Sequence, residues 1–293
     1  MIKLAHIVNP VLLPPDHPLS AAQPVTFETM RVARRFAAEQ VAVELHTAQF
    51  AEDGPVVPND FQRTPDLTRS VLEGRTFLHP RRLPLLADIL HRLYEGTDAS
   101  YLIYTNVDIG LQPFFYVAIH RFIEAGYDAF AINRRTIEDT FRGAEDLPLM
   151  YASQGRPHPG WDCFVFRRDA FPRYDLGDVC VGAPRSGLVL LANLIAQADR
   201  FQVFRHAHLT FHCGDDRPWY GPSGAAYAAH NTREALAALR RIEQHTGPFD
   251  PRTPPARFLR RKRWLGPVYE AWVHLAHRRR ANPRSLFGRF PPA

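Results

Sequence analysis

The chain has 293 residues, 45% hydrophobic and 23% charged, which excludes an intrinsically disordered protein and allows a large core in one or two domains. Its formal charge of +6 is unevenly spread, because residues 251–293 hold eleven Arg or Lys against the single acid Glu270. The first 250 residues are therefore net acidic, which argues against a continuous basic groove and against nucleic acid as a partner.

In chain order, Leu4 to Val8 reads as a buried strand, and the apolar run at the start is too short for a secretory leader. A Pro-rich loop runs to Pro24. Phe27, Met30, Ala33 and Ala37 then recur at helical spacing, predicting a helix from about Thr26 to Ala38 with Thr26 as its N-cap. Val41 to Leu45 alternates as a second strand. Strand, helix, strand in that order predicts an α/β fold with a mostly parallel sheet and helices on both faces.

Residues 53–80 are polar and broken by prolines, an excursion over the end of the sheet with one short helix near Leu67 to Leu72. A helix over Leu83 to Tyr94 stops at Gly96. Ser100 to Ile109 starts as an apolar strand, ends in polar residues and is followed by a helix near Phe114 to Ala125. Ala129 to Asn133 and Cys163 to Arg167 read as strands, Gly187 to Ala198 as a buried helix, and Phe201 to Arg205 and His208 to Phe211 as the last strands. An amphipathic helix, Glu234 to Gln244, closes a domain spanning 1–250, and 251–293 is a basic, aromatic tail.

Cys163, Cys180 and Cys213 are odd in number and far apart, which predicts neither a disulfide framework nor a structural zinc site. A reducing cytoplasm is the expected location. No apolar run approaches the about 20 residues of a membrane span.

Two clusters carry the chemistry. Asn106-Val107-Asp108 sits where a strand ends, and residues two apart on a strand point to the same side, so both side chains can face one ion. A diphosphate held by Mn²⁺ or Mg²⁺ needs one or two oxygen ligands from the protein. The plain alternative is that both residues cap the following helix. The second cluster runs from His208 to Trp219. In it His212 is a good ligand for Mn²⁺, Gly214 lets the backbone approach phosphate oxygens, and Arg217 offers them a bidentate fork.

His212-Cys-Gly-x-x-Arg-Pro-Trp219 resembles the His-x-x-Gly-x-x-Lys-Pro-Trp signature of family 8 glycosyltransferases, compressed and with Arg217 in the Lys place. The resemblance implies a GT-A fold, a nucleoside-diphosphate sugar as donor and a metal shell begun by an Asp-x-Asp motif and completed by the His. It sets Asn106-Val-Asp108 in the place of that motif, with Asn for the first acid, so Asn106, Asp108 and His212 are the expected metal ligands and Asn106 also faces the donor. The family's Asp-Gln pair near residue 186 has no counterpart here.

Between the clusters, Asp162 follows the polar turn His158-Pro-Gly-Trp161 and suits a carboxylate that takes the proton of an acceptor hydroxyl. It suits equally a carboxylate that binds the turn's own backbone. Arg185 precedes a helix that Ser186 is placed to cap, and reaches for phosphate or acceptor. The tail interleaves Arg and Lys with Phe258, Leu259, Trp264, Leu265, Tyr269 and Trp272. That pattern suits a helix on an anionic membrane surface, where each basic residue adds about 1 kcal/mol; a solvated helix is the alternative.

These residues point to sugar transfer from a nucleoside-diphosphate donor to a hydroxyl of a glycan or glycolipid, in the cytoplasm or at the inner face of its membrane. Two other classes fit parts of the pattern. One is a metal-dependent hydrolase using His206, His208, His212 and Asp215 or Asp216; the other is a non-catalytic sugar-nucleotide-binding protein.

Overall fold

The computed structural model describes residues 1–141, 143–214 and 222–261. Its first unit, Met1–Gly247, is built on a mixed sheet with nine strands among the described residues. At its centre β1 (Lys3–Val8) lies parallel to β2 (Ala42–Thr47) and to β4 (Tyr101–Thr105), and β3 (Gln62–Arg63) extends the parallel run beyond β2. On the other side, β7 (Arg156–Arg167) runs antiparallel to both β4 and β6 (Ala129–Ile137). β6 pairs in parallel with β8 (Phe201–Phe204) and β9 (Thr210–Cys213), and β5 (Gly110–Leu111) lies antiparallel to β9.

The apolar run of β1 follows from burial on both faces. Leu4, His6 and Val8 point to one side, where Leu4 and Val8 share a core with Met30, Ala33 and Ala37 of α1 (Pro18–Ala37) and Phe115, Tyr116 and Ile119 of α3 (Phe115–Glu124). Ala5 and Ile7 point to the other, where α2 (Leu86–Gly96) packs on β1 and β4 and α5 (Ser186–Gln197) packs on β6 and β7. Each large apolar side chain so buried contributes about 1.5–3 kcal/mol. The α/β class with helices on both faces is thus as expected. The sheet is mixed through β7 and β5.

Four local expectations are corrected. α1 starts at Pro18, a full two turns before Thr26: His17 caps it, with Nδ1 accepting from Leu19 N at 3.2 Å. Pro18 costs nothing in a first turn, and Gln23 clasps Val11 through both its N–H (2.8 Å) and its carbonyl (2.9 Å), fixing the turns around the internal Pro24. Leu67 to Leu72 is not helical, because Leu67 N bonds Gln49 O (2.7 Å) and Val71 N bonds Leu83 O (3.0 Å), so the segment is pinned to neighbouring loops instead. His158 to Trp161 is strand and not a turn, since β7 begins at Arg156. Helix α6 (Pro222–Thr246) begins twelve residues ahead of Glu234.

α6 is tied to loops by its polar face. Buried Asn231 accepts from Cys180 N (2.9 Å) and donates to the carbonyls of Cys180 (2.8 Å) and Ala183 (3.3 Å). All three cysteines are free. No helix among the described residues is long and apolar enough to cross a membrane. In the second unit, Pro248–Ala293, residues 254–261 are helical, and residues 262–293 of the basic tail lie outside the described residues.

Candidate active site

β4 ends at Thr105, and the chain turns at once, with Ile109 N bonded to Asn106 O at 3.2 Å, before entering β5. Asn106 and Asp108 ride on that turn at the carboxyl end of a parallel strand, where open α/β sheets bind ligands. β5 then pairs with β9 in the register Gly110↔Phe211. That register brings together two residues 104 apart in sequence: His212 Nε2 lies 3.3 Å from Asp108 Oδ2.

The pair is oriented from both sides. His212 Nδ1 donates to Gly214 O at 2.8 Å, which directs Nε2 at Asp108. Gly214 itself has a left-handed backbone (φ 74°) and gives its N–H to Ile137 O at 3.0 Å, so it turns the chain sharply behind the imidazole. On β4, Tyr104 donates its hydroxyl to Asn106 Oδ1 at 3.0 Å. Burial pushes the Asp108 carboxyl up, but the His212 imidazole and the Arg134 guanidinium outweigh it and hold the group below its ordinary value. Burial pushes His212 down, and the Asp108 carboxylate more than reverses this, so the imidazole sits above its usual range. Burial also drives the Tyr104 hydroxyl well up, helped by the charges of Asp108 and Asp162.

Asp162 enters through an irregularity. Ile132 of β6 faces Cys163 of β7, yet Asn133 faces Trp161, so Asp162 is the extra residue of a β-bulge. Its Oδ1 lies 2.9 Å from Arg134 Nη1, and both residues are buried. Burial raises the Asp162 carboxyl above its ordinary value; Arg134 opposes the shift and Asp108 adds to it. Asn133 holds the neighbouring backbone, donating to His158 O (3.1 Å) and Gly160 O (2.9 Å).

The N-terminus of α5 abuts the same strand. A side chain at Gly187 would come within 3.2 Å of the Trp161 carbonyl, so the glycine allows the close approach. Arg185 is the N-cap, exposed and left-handed at φ 87°, a conformation that costs a non-glycine residue about 1–2 kcal/mol. Ser186 is the first helical residue and not the cap expected from sequence, because Arg185 already holds the last non-helical angles. Arg217, with Asp215, Asp216 and Trp219, lies outside the described residues.

Unpartnered buried polar atoms gather here. Asp108 Oδ1, Asp162 Oδ2, Asn133 Oδ1 and Trp161 Nε1 have no hydrogen-bond partner among the described residues. Such atoms are costly, about 1–3 kcal/mol each, and a site for a polar ligand is where a protein keeps them. Among the described residues no three His, Cys, Asp or Glu side chains are placed to hold an ion by themselves. The pair Asp108 and His212, with one carboxylate oxygen unengaged, fits a cation whose shell is completed by phosphate and water. The hydrolase arrangement is not assembled by the described residues: His206 is exposed, His208 is half-buried, and neither groups with His212.

Tyr104 and Arg134 were not expected. Tyr104 was within reach, since the sequence puts it two before Asn106 on one strand and so on the same side, although Asn106 in fact follows the end of β4. Arg134 carries no signal in a chain where 34 of the 36 basic residues are arginine.

No family model and no curated protein sequence matches this chain. Its structure is similar to S. aureus TarS 1-349, at a TM-score of 0.48 and 10% identity over 81% of this chain and 66% of that one. The same TarS segment in complex with UDP-GlcNAc gives 0.49 at 9% identity over 81% and 66%. The mannosyltransferase PcManGT from Pyrobaculum calidifontis, in complex with GDP-Man and Mn2+, gives 0.46 at 11% identity over 89% of this chain and 69% of that one. The chain spans just under two thirds of the TarS segment, 66%. Likenesses this distant carry neither a family nor an activity, and the functional reading rests on the site.

Proposed function

We propose that this chain is a GT-A-type glycosyltransferase that moves a sugar from a nucleoside-diphosphate donor to a hydroxyl of a glycan or glycolipid. The observation that carries the reading is the meeting of Asp108 and His212 at 3.3 Å at the carboxyl end of β4, with the other Asp108 oxygen buried and unengaged. A carboxylate and an imidazole so placed suit Mn²⁺ or Mg²⁺ shared with a diphosphate. Asn106, whose Oδ1 accepts from the Tyr104 hydroxyl, is given the role of a further oxygen donor.

In the reaction, the bond from the anomeric carbon to the diphosphate oxygen breaks and its electron pair leaves with the diphosphate. The acceptor oxygen bonds to the same carbon, and its proton passes to a carboxylate. Asp162 is given that role, since burial has raised its proton affinity. Asp108 and His212 would hold a divalent cation, which would supply positive charge to the diphosphate leaving group. Asn106, Arg185 and Gly214 are given the phosphate side of the site; Arg217, which the sequence gives the same role, lies outside the described residues. Family 8 specificity, a cytoplasmic setting and attachment of the 251–293 tail to an anionic membrane surface complete the proposal.

The test is isothermal titration of UDP, GDP, dTDP and CMP with and without Mn²⁺, on the wild type and on His212→Ala. Binding of one nucleotide that needs the metal and is lost in the variant supports the reading and names the donor base. Absence of binding for every nucleotide under both conditions removes it. Binding without turnover on any sugar nucleotide leaves a non-catalytic binding protein.

A further inference from the structure

Asp162 and Arg134 are 8% and 7% exposed, and their ion pair of 2.9 Å is therefore shut away from water. Such a pair adds little net stability, because desolvation of both charges offsets their attraction. Its placement is unusual in a second way. Regular pairing of β6 with β7 holds from Ala129↔Phe166 to Ile132↔Cys163, then breaks twice, between Ile132 and Asn133 and between Asn133 and Arg135. Asp162 falls out of the ladder at the first break and Arg134 at the second, so the two irregular residues answer each other across the strands.

A bulge re-aims a side chain but does not hold it. A buried charge-assisted contact does, since it fixes the carboxylate oxygen that it engages. Arg134 binds one oxygen of Asp162, and the other is buried without a partner among the described residues. The charge of Arg134 also acts on Asp108 and on His212.

We infer that Arg134 is a positioning residue: it clamps Asp162 so that the free carboxylate oxygen faces the sugar in transfer. The assignment rests on the proposed role of Asp162. A lysine in its place keeps the charge but not the donor at the position of Nη1, and a methionine loses both.

The experiment uses the full chain and the nucleotide found by titration, with its sugar as donor. Arg134→Met, Arg134→Lys, Asp162→Asn and the double variant Arg134→Met with Asp162→Asn are compared in kcat, KM and metal-dependent nucleotide affinity. The double variant removes both buried charges, so it tests folding without leaving one stranded. Arg134→Met is expected to lower kcat about 100-fold or more while nucleotide affinity stays within about threefold, Arg134→Lys to recover part of the loss, and the double variant to be no slower than Asp162→Asn. A kcat within about threefold of wild type in Arg134→Met overturns the assignment. So does a parallel loss of nucleotide affinity, which would make Arg134 a diphosphate ligand. A wild type that binds no nucleotide removes the proposed reaction and this role together, whereas normal wild-type binding with unchanged Arg134→Met turnover removes this role alone.

Discussion

The ring of Phe211 covers Gly110 from the facing strand, so closely that a methyl group on Gly110 would overlap ring carbons Cζ, Cε2 and Cε1. This contact sets the register of β5 on β9. Asp108 stands two residues before Gly110 and His212 one residue after Phe211, so the same contact sets the distance between the two candidate ligands. The aromatic ring takes the place of the side chain that glycine lacks.

Gly110→Ala is therefore expected to destabilise the protein by about 2 kcal/mol or more and to weaken metal-dependent nucleotide binding. Adding Phe211→Leu should restore part of both. Urea unfolding and titration of the single and double variants measure this; an Ala variant as stable as wild type would dissociate the register from the contact.

Asp108→Asn separates function from folding. The carboxylate has one buried oxygen without a partner, and a buried pair with His212 is worth little net stability. At pH 8, where an imidazole freed of its carboxylate is neutral, the thermal midpoint should stay within about 3 °C of wild type. Affinity for the nucleotide in Mn²⁺ should fall at least about tenfold, because Asn offers no charge to the metal.

His6 makes the protein sensitive to acid. It is fully buried between Tyr116 Oη (2.8 Å from Nδ1) and Thr105 Oγ1 (2.9 Å from Nε2), and burial, with the neighbouring His46, pushes its imidazole down to about 3. The folded state thus binds the proton more weakly than the unfolded chain. Its contribution is fully present above the unfolded value of about 6.5 and is lost as pH falls from there towards about 3. Wild type should lose about 1.4 kcal/mol per pH unit more than His6→Gln between pH 6 and pH 4. Denaturant unfolding at pH 7, 6, 5 and 4 tests this, and parallel pH profiles would contradict it.

Asn231→Ala removes four hydrogen bonds from a buried amide and strands the backbone of Cys180. A loss of about 2–4 kcal/mol is expected. Asn231→Asp, which still accepts from Cys180 N but donates to neither carbonyl, should fall at least as far at pH 7.

The basic tail is tested by removing residues 262–293. The full chain should sediment with vesicles carrying phosphatidylserine and be released by salt. The shortened chain should remain in solution at the same salt; equal sedimentation of both would place the membrane contact elsewhere.

Local pattern was legible wherever one physical cause dominated. The burial of β1 and β4 on both faces shows as largely apolar runs, interrupted in β1 by His6, and the helical repeat of Met30, Ala33 and Ala37 shows α1. Prolines misled at both ends of that helix's first turns, because Pro18 is harmless where no N–H is needed and Pro24 is tolerated beside the Gln23 clasp. The clasp reaches back to Val11, and no local rule contains it. The bulge at Asp162 was equally hidden, since it is defined by the partner strand.

The sequence by itself determined the alternation of strands and helices, and it marked Asn106, Asp108 and His212 as polar residues where strands end. Periodicity and strand termini are local properties, written in neighbouring residues. Only the tertiary structure decided that Asp108 meets His212 across 104 residues and that Arg134 holds Asp162. Those meetings depend on antiparallel pairing of β5 with β9 and of β6 with β7. Strand register is chosen by packing over the whole sheet, where contacts such as Phe211 on Gly110 compete, and no window of sequence carries that choice.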